Sequence, residues 1–178
     1  MKKILAFAGS NSSTSINKLL VSYAASHFDE FNTVILDLND FDLPLYSMDL
    51  EKASGIPQPA KEFLNEIQSA DGILLSLAEH NGAYSSVFKN LFDWMSRIDG
   101  KLWHDIPMLL MAASPGGRGG RSVLDIASDR FPRMGADIVA EFSLPVFGDN
   151  FKDGGIVNPE LDGSLKDAIN TLITHINS

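Results

Sequence analysis

The chain has 178 residues, which suits one domain spanning residues 1–178 with a sizeable buried core. Its 14 basic residues are outnumbered by 23 acidic ones, and the formal net charge of −9 argues against nucleic acid or an anionic membrane as a partner. The absence of cysteine excludes disulfides, thiolate metal sites and cysteine nucleophiles, and it suits a reducing compartment. The first apolar run, residues 4–8, is too short for a signal peptide and no later run could cross a membrane, so we expect a cytoplasmic protein without membrane insertion.

Short apolar runs alternate along the chain with longer segments of helical periodicity. Continuous apolar character is typical of strands that are buried on both faces, and such strands belong to parallel sheets. Repeated alternation of strand and helix predicts right-handed crossovers and a doubly wound, three-layer α/β fold, in which ligands bind at the carboxyl ends of the strands. The predicted strands are residues 4–8, 34–36, 73–75, 108–112 and 138–140.

Five helices are predicted from apolar stripes and from end signals. Leu19 falls on the apolar stripe of the first helix, and Ser164 with Asp167 resembles a capping box at the start of the last one. Two stretches, residues 41–59 and 143–161, break the alternation and are predicted to be long surface loops. The helices cover residues 16–28, about 57–69, 84–95, about 120–134 and 165–176.

The loop after the first strand, G-S-N-S-S-T-S-I-N at residues 9–17, leads directly into the first helix. Free backbone N–H groups, hydroxyl donors and the positive end of a helix dipole together predict a cradle for one phosphomonoester. The loop lacks the lysine of a P-loop and keeps only Gly9 of a dinucleotide fingerprint, which argues against nucleotide hydrolysis and ordinary dinucleotide binding. Helix capping and turn formation are the alternative role for the same residues.

Two further loops follow the third and fourth predicted strands. The first contains A-E-H-N at residues 78–81 and is followed by K-N-L-F-D-W at residues 89–94. The second contains S-P-G-G-R-G-G at residues 114–120, where a glycine-rich backbone can approach a flat ligand closely. By topology both loops lie beside the first one.

These three motifs, in this order, resemble those of the NAD(P)H-dependent FMN reductase family, which includes azo-, quinone- and chromate-reducing members. The family patterns are G-S-x-R-x-x-S-x-N, then P-E-Y-N before a K-N-x-x-D-W helix, then a Ser- and Gly-rich turn. The resemblance implies a flavodoxin-like fold with a five-stranded parallel sheet of order 2-1-3-4-5. It also implies FMN as cofactor, NADPH or NADH as electron donor, and a homodimer or homotetramer with the flavin near the subunit boundary. Aromatic residues around Trp94 and Trp103, expected to be exposed, are compatible with that assembly.

The resemblance also assigns the residues that would surround FMN. At the phosphate and ribityl chain it places Ser10, Ser12, Ser15, Ile16 and Asn17. Along the edge of the isoalloxazine ring it places Ala78, Glu79, His80 and Asn81, and on the other side of the ring Ser114 and Gly117.

The sequence departs from the family patterns at three positions. Ser12 stands where the family has arginine, so the phosphate loses a cationic partner and weaker FMN binding is expected. Ala78 replaces proline and His80 replaces tyrosine; His80 is interpreted as a loop residue near the ring, with proton donation to the acceptor as the alternative. The other histidines lack ligand spacing, so no metal site is predicted. Arg118 and Arg121 could contact nicotinamide nucleotide phosphates or remain solvated.

The implied function is an NAD(P)H oxidoreductase working by ping-pong hydride transfer through flavin N5 to a small-molecule acceptor. Quinones, azo compounds, metal oxyanions and free flavin are all possible acceptors, and no side chain need be catalytic because the flavin carries the chemistry. Two alternatives stay open: an FMN-binding electron carrier without enzymatic activity, and a protein of this fold whose altered first loop no longer binds FMN.

Overall fold

The computed structural model of the chain describes residues 1–178 and is built on a central sheet of five parallel strands. The strands of the chain are β1 (Lys3–Gly9), β2 (Asn32–Leu36), β3 (Gly72–Leu77), β4 (Glu79–His80), β5 (Ala83–Tyr84), β6 (Pro107–Ala113), β7 (Asp137–Leu144), β8 (Phe151–Lys152) and β9 (Gly155–Ile156). The central sheet has the order β2-β1-β3-β6-β7. Because β4 and β5 form a separate hairpin, this is the expected order 2-1-3-4-5 counted over the strands of the central sheet, and the predicted fold class is confirmed.

Helices cover both faces of the sheet. The helices are α1 (Ile16–Ala25), α2 (Met48–Ser54), α3 (Gln58–Gln68), α4 (Ser86–Ile98), α5 (Arg121–Arg130), α6 (Phe147–Asn150) and α7 (Pro159–Asn177), with 3₁₀ turns at Leu38–Asp40 and Phe131–Met134. Alternate residues of β1 enter two different cores: Leu5 and Phe7 pack with α3, α4 and α5, whereas Ile4 and Ala6 pack with α1 and α7. Both faces of the central strands are therefore shielded from water, which explains their continuous apolar runs.

The two predicted surface loops contain regular structure, so that prediction was wrong in part. Residues 41–59 include all of α2, a short helix with no buried residue. Residues 143–161 include the end of β7, the helix α6, the β8–β9 hairpin and the first turn of α7. The proposed capping box was also wrong, because α7 begins at Pro159 and the side chain of Asn158 caps it. Ser164 therefore lies inside the helix.

Three further expectations about exposure were wrong. Leu19, assigned to the buried face of α1, is 49% exposed. Trp94 and Trp103, expected at an exposed aromatic surface, are both fully buried. Trp94 donates its indole N–H to the carbonyl of Pro44 at 2.8 Å, and Trp103 packs on Phe131 with ring centroids 4.7 Å apart. These indoles belong to the core and offer nothing to a second subunit.

None of the helices combines the length and the apolar character that a bilayer crossing requires.

Candidate functional site

The carboxyl ends of three adjacent strands lie level with one another. Gly9 of β1 is paired with Leu77 of β3, and Leu77 is paired with Ala112 of β6. The loops that follow these strands, residues 10–15, 78–85 and 114–120, therefore leave the sheet at the same edge. We call them the first, second and third loops.

A buried amide, Asn17 in the first turn of α1, joins the strand ends below the loops. Its Oδ1 accepts hydrogen bonds from the Ser76 hydroxyl at 2.8 Å and from the Ala113 N–H at 2.9 Å, and its Nδ2 donates to the Ala113 carbonyl at 3.3 Å. The side chain assigned to the phosphate is thus buried and makes three hydrogen bonds inside the protein. What Asn17 can still offer a ligand is its backbone N–H.

The first loop presents hydrogen-bond donors and no charge. The Ser15 hydroxyl caps α1 by accepting from the Lys18 N–H at 3.2 Å, and the Ser10 hydroxyl accepts from the Ser12 N–H at 3.2 Å. The backbone N–H groups of Ser13, Ile16 and Asn17 have no acceptor in the protein. Unpaired amides at the start of a ten-residue helix suit an anionic group.

The second loop is tied to the end of β1 by a buried serine. The Ser85 hydroxyl donates to the Gly9 carbonyl at 2.7 Å and accepts from the Phe88 N–H at 3.2 Å, so one side chain caps α4 and fixes it to β1. Before Ser85 the chain makes the tight β4–β5 hairpin, in which Glu79 pairs with Tyr84. His80 is exposed at the turn of this hairpin.

The side chain of Glu79 links the second loop to the third. Helix α5 begins after Gly120, which has a φ of 75° and no side chain to cap the helix. The Glu79 carboxylate supplies the missing cap by accepting from the Val123 N–H at 3.0 Å, where a negative charge also meets the positive end of the helix dipole. This role was not predicted from the sequence. The predicted helix starts at a glycine, which has no side chain to cap it, and this was a signal that another residue supplies the cap.

The third loop has an open, glycine-rich backbone. Ser114 is held at its start, where its N–H donates to Leu144 at 3.2 Å and its hydroxyl donates to the Gly116 carbonyl at 3.0 Å. Gly117 is exposed, its N–H has no acceptor, and a Cβ added there would meet nothing within 4 Å. The loop therefore leaves room for a flat ligand against its backbone.

The two arginines considered from the sequence differ in whether acidic side chains pair with them. Arg121 forms ion pairs with Asp125 at 2.6 Å and with Glu141 at 3.1 Å. Arg118 donates only to the Ser122 hydroxyl, at 3.0 Å, and forms no ion pair. Of the two, Arg118 is the one whose charge is free to meet a ligand.

A cation also lies beside the first loop. Lys18 in the first turn of α1 forms an ion pair with Asp37, which directly follows β2. Burial would raise the pKa of the Asp37 carboxyl, but hydrogen bonds from Lys18 and Asn39 outweigh it and hold that pKa below its ordinary value. The Asn39 amide in turn donates to the Asn11 carbonyl at 3.2 Å, which connects this ion pair to the first loop.

Two cavities flank the loops. One of about 580 Å³ lies between the turn after β2 and α4, and it shares Asn11 with the first loop. The other, of about 680 Å³, lies between α4 and α5 and shares Tyr84 with the hairpin. Each cavity thus borders one of the loops.

One known protein family matches the sequence over most of its length. The profile of the NADPH-dependent FMN reductases matches residues 2–147. The chain belongs to this family. The predicted resemblance is therefore confirmed, and the family implies that the protein is an NAD(P)H-dependent oxidoreductase that uses a flavin.

Individual relatives agree with the family assignment. The chain is 29% identical to probable NADPH:quinone oxidoreductase 2 of Oryza sativa subsp. japonica, over 96% of this chain and 86% of that protein. It is 35% identical to 2-hydroxy-1,4-benzoquinone reductase of a Burkholderia species, over 66% of this chain and 63% of that protein. These relatives are reductases.

Solved structures share the fold. FerB, a flavoenzyme NAD(P)H:(acceptor) oxidoreductase from Paracoccus denitrificans, superposes with a TM-score of 0.74 at 21% identity, covering 98% of this chain and 99% of that one. The apo form of the NADH:FMN oxidoreductase EMOB superposes with a TM-score of 0.70 at 19% identity, covering 98% and 90%. At these identities the likeness shows the fold alone.

Proposed function

We propose that the three loops bind FMN and that the protein transfers a hydride from NAD(P)H, through the flavin, to a small quinone. The observation that carries this proposal is the convergence of unpaired amides at the start of α1 with an open glycine backbone, all at one edge of the sheet. A phosphate needs unpaired amides to donate hydrogen bonds to it, and a flat ring needs an open backbone to lie against. Family membership supports the same assignment.

The first loop fits the phosphate end of FMN. Ser10, Ser12 and Ser15 provide hydroxyl groups, and Ile16 and Asn17 provide free backbone N–H groups in the first helical turn. These donors need no large movement, because the Ser15 cap and the buried Asn17 side chain already hold the turn in place. The residues present therefore fit the group.

The second and third loops fit the isoalloxazine ring as two walls of one slot. Ala78, Glu79, His80 and Asn81 would contact one edge of the ring through their backbone, because the Glu79 side chain is used in capping α5. Ser114 and Gly117 would contact the other side, where the absence of a Cβ at Gly117 leaves space. The Glu79–Val123 hydrogen bond fixes the distance between these walls.

When bound, FMN supplies the atom N5 that accepts a hydride and the two-electron chemistry that a side chain lacks. The residues of this chain bind it, orient its ring and shield the reaction from water. We assign no catalytic side chain. His80 is tied to Ala83 through the β4–β5 pairing, but its imidazole makes no hydrogen bond in the protein, so nothing positions that ring as a proton donor.

A quinone is the acceptor that we propose, because the similar proteins from Oryza sativa and Burkholderia are named for quinone reduction. We further propose a single FMN-binding domain over residues 1–178, a homodimer or homotetramer, and a cytoplasmic location where NAD(P)H is available. Arg118, which has no acidic partner, is the residue that we expect nearest to the phosphates of the donor nucleotide.

Initial-rate kinetics test the proposed order of events. With FMN-loaded protein, NADPH and 1,4-benzoquinone as the two substrates, we expect parallel double-reciprocal lines, because the oxidised donor leaves before the acceptor binds. Intersecting lines would show that both substrates bind together and would contradict the ping-pong order. The same assay with NADH as donor measures the donor preference.

A further inference from the structure

The first loop has no positive charge for a group that carries two negative ones. Residues 9–17 contain neither lysine nor arginine, and Ser12 occupies the position at which the family pattern has arginine. Amides and hydroxyls alone provide weaker binding than a charge-assisted hydrogen bond does. A cation from outside the loop would complete the site.

We propose that Lys18 is that cation: its ammonium group binds the phosphate of FMN and takes the place of the missing arginine. The inference rests on the proposed FMN site. Lys18 is the third residue of α1, and side chains in the first turn of a helix lean towards its N-terminus, where the free amides of Ile16 and Asn17 lie.

The present partner of Lys18 keeps its ammonium group next to the loop. Asp37 binds Lys18, Asn39 binds Asp37, and Asn39 also donates to the Asn11 carbonyl of the first loop. Lys18 therefore belongs to a chain of hydrogen bonds that borders the loop and does not extend freely into solvent.

The ion pair with Asp37 is weak enough to be shared. Its two side chains are 27% and 33% exposed, and ion pairs of this kind contribute little because water solvates both ions. Lysine has a flexible stem and three donor hydrogens, so one ammonium group can contact a phosphate and Asp37 at once. Lys18 would also screen the phosphate from the Asp37 carboxylate, which would otherwise repel it.

Comparing FMN with riboflavin isolates the contribution of the phosphate to affinity, because riboflavin has the same ring and ribityl chain without the phosphate. We expect Lys18→Gln to weaken FMN binding about tenfold, the size of one charge-assisted hydrogen bond, while the affinity for riboflavin stays unchanged. Lys18→Arg should keep most of the FMN affinity. Dissociation constants from the quenching of flavin fluorescence measure both ligands in the apoprotein.

Two further variants test whether FMN affinity depends on where the positive charge lies or only on the net charge of the protein. Lys166→Gln removes the same charge from α7, where Lys166 pairs with Asp162 at 2.6 Å, and should change neither affinity. Ser12→Arg restores the cation of the family pattern, so in the Lys18→Gln background it should recover FMN affinity and leave riboflavin affinity as it was.

The outcomes distinguish this inference from the function on which it rests. Equal weakening of FMN and riboflavin by Lys18→Gln would overturn it, because the lysine would then be maintaining the fold of the loop. Unchanged FMN affinity in Lys18→Gln would overturn it as well. If the wild-type protein binds neither flavin, the proposed function itself falls and the inference with it.

Discussion

Two tyrosine hydroxyls in this protein differ in their hydrogen bonding. The Tyr23 hydroxyl donates to Asp162 at 2.6 Å, and this bond, helped by burial, raises the pKa of Tyr23 to about 12. The Tyr84 hydroxyl is buried with no partner, and burial raises its pKa to about 12. The first hydroxyl should therefore stabilise the fold, and the second should not.

The corresponding phenylalanine variants test this difference. At pH 8 we expect Tyr23→Phe to lower the free energy of unfolding by about 1 kcal/mol, and Tyr84→Phe to leave it unchanged or raise it. Because the folded-state pKa of Tyr23 is raised, its contribution is complete below pH 10 and is lost as the pH rises towards 12. Urea denaturation at pH 8 and above pH 10 measures both effects. A Tyr84→Phe loss as large as that of Tyr23→Phe would contradict the assignment.

Glu79 acts through a single hydrogen bond between two loops. We expect Glu79→Ala to lower the free energy of unfolding by about 1–2 kcal/mol, the usual effect of removing a helix cap. Glu79→Gln keeps an acceptor oxygen for the Val123 N–H and should retain most of the stability. Thermal denaturation of the two variants provides the measurement, and a wild-type melting temperature in Glu79→Ala would contradict the capping role.

The start of α5 depends on one glycine. Gly120 has a left-handed backbone, and a Cβ there would lie 2.7 Å from the Cβ of Ala112 in β6. We therefore expect Gly120→Ala to lower the free energy of unfolding by about 2–4 kcal/mol, through strain and overpacking.

Gly163 is the matched control, because it lies exposed inside α7 with nothing within 4 Å of an added Cβ. Gly163→Ala should stabilise the protein by about 0.5–1 kcal/mol, since alanine favours a helix interior over glycine. Urea denaturation measures both variants, and opposite signs are expected. A stable Gly120→Ala protein would show that the first turn of α5 can shift.

The elements that were predictable from the sequence are those with a strong burial pattern. Continuous apolar runs located the five sheet strands, apolar stripes located α1 and α4, and helix end signals located α3 and most of α5. Helix α2 was missed because it buries no residue and therefore has no stripe, although Ser47 caps it through the Leu50 N–H. The start of α7 was missed because Asn158 followed by Pro159, a good helix start, competed with the Ser164 pattern.

The candidate site was predictable at the level of loops and less so at the level of side chains. The strand ends and the glycine-rich loop follow from local sequence and topology. The inward role of Asn17, the Glu79 cap and the Lys18–Asp37 pair each depend on contacts between residues distant in sequence. Such contacts have no local signature, so only the folded chain reveals them.

In the whole molecule, one sheet brings together three loop regions that are spread over more than a hundred residues of the sequence. The strand order places the first turn of α1, where we propose that phosphate binds, the β4–β5 hairpin and the glycine-rich loop at the same edge. Hydrogen bonds made by the side chains of Ser85, Asn17 and Glu79, the first as donor and the other two as acceptors, then hold these parts in fixed positions. A preorganised slot of this kind suits a protein whose chemistry is carried by a bound flavin.

The visible absorption spectrum of the purified protein with added FMN, recorded before and after NADPH under anaerobic conditions, shows whether the protein binds a flavin that NADPH reduces. We expect FMN to stay with the protein through gel filtration and NADPH to bleach its absorption. FMN that separates from the protein, or bound FMN that NADPH does not reduce, would contradict the assignment of the three loops as the flavin site of an NAD(P)H oxidoreductase.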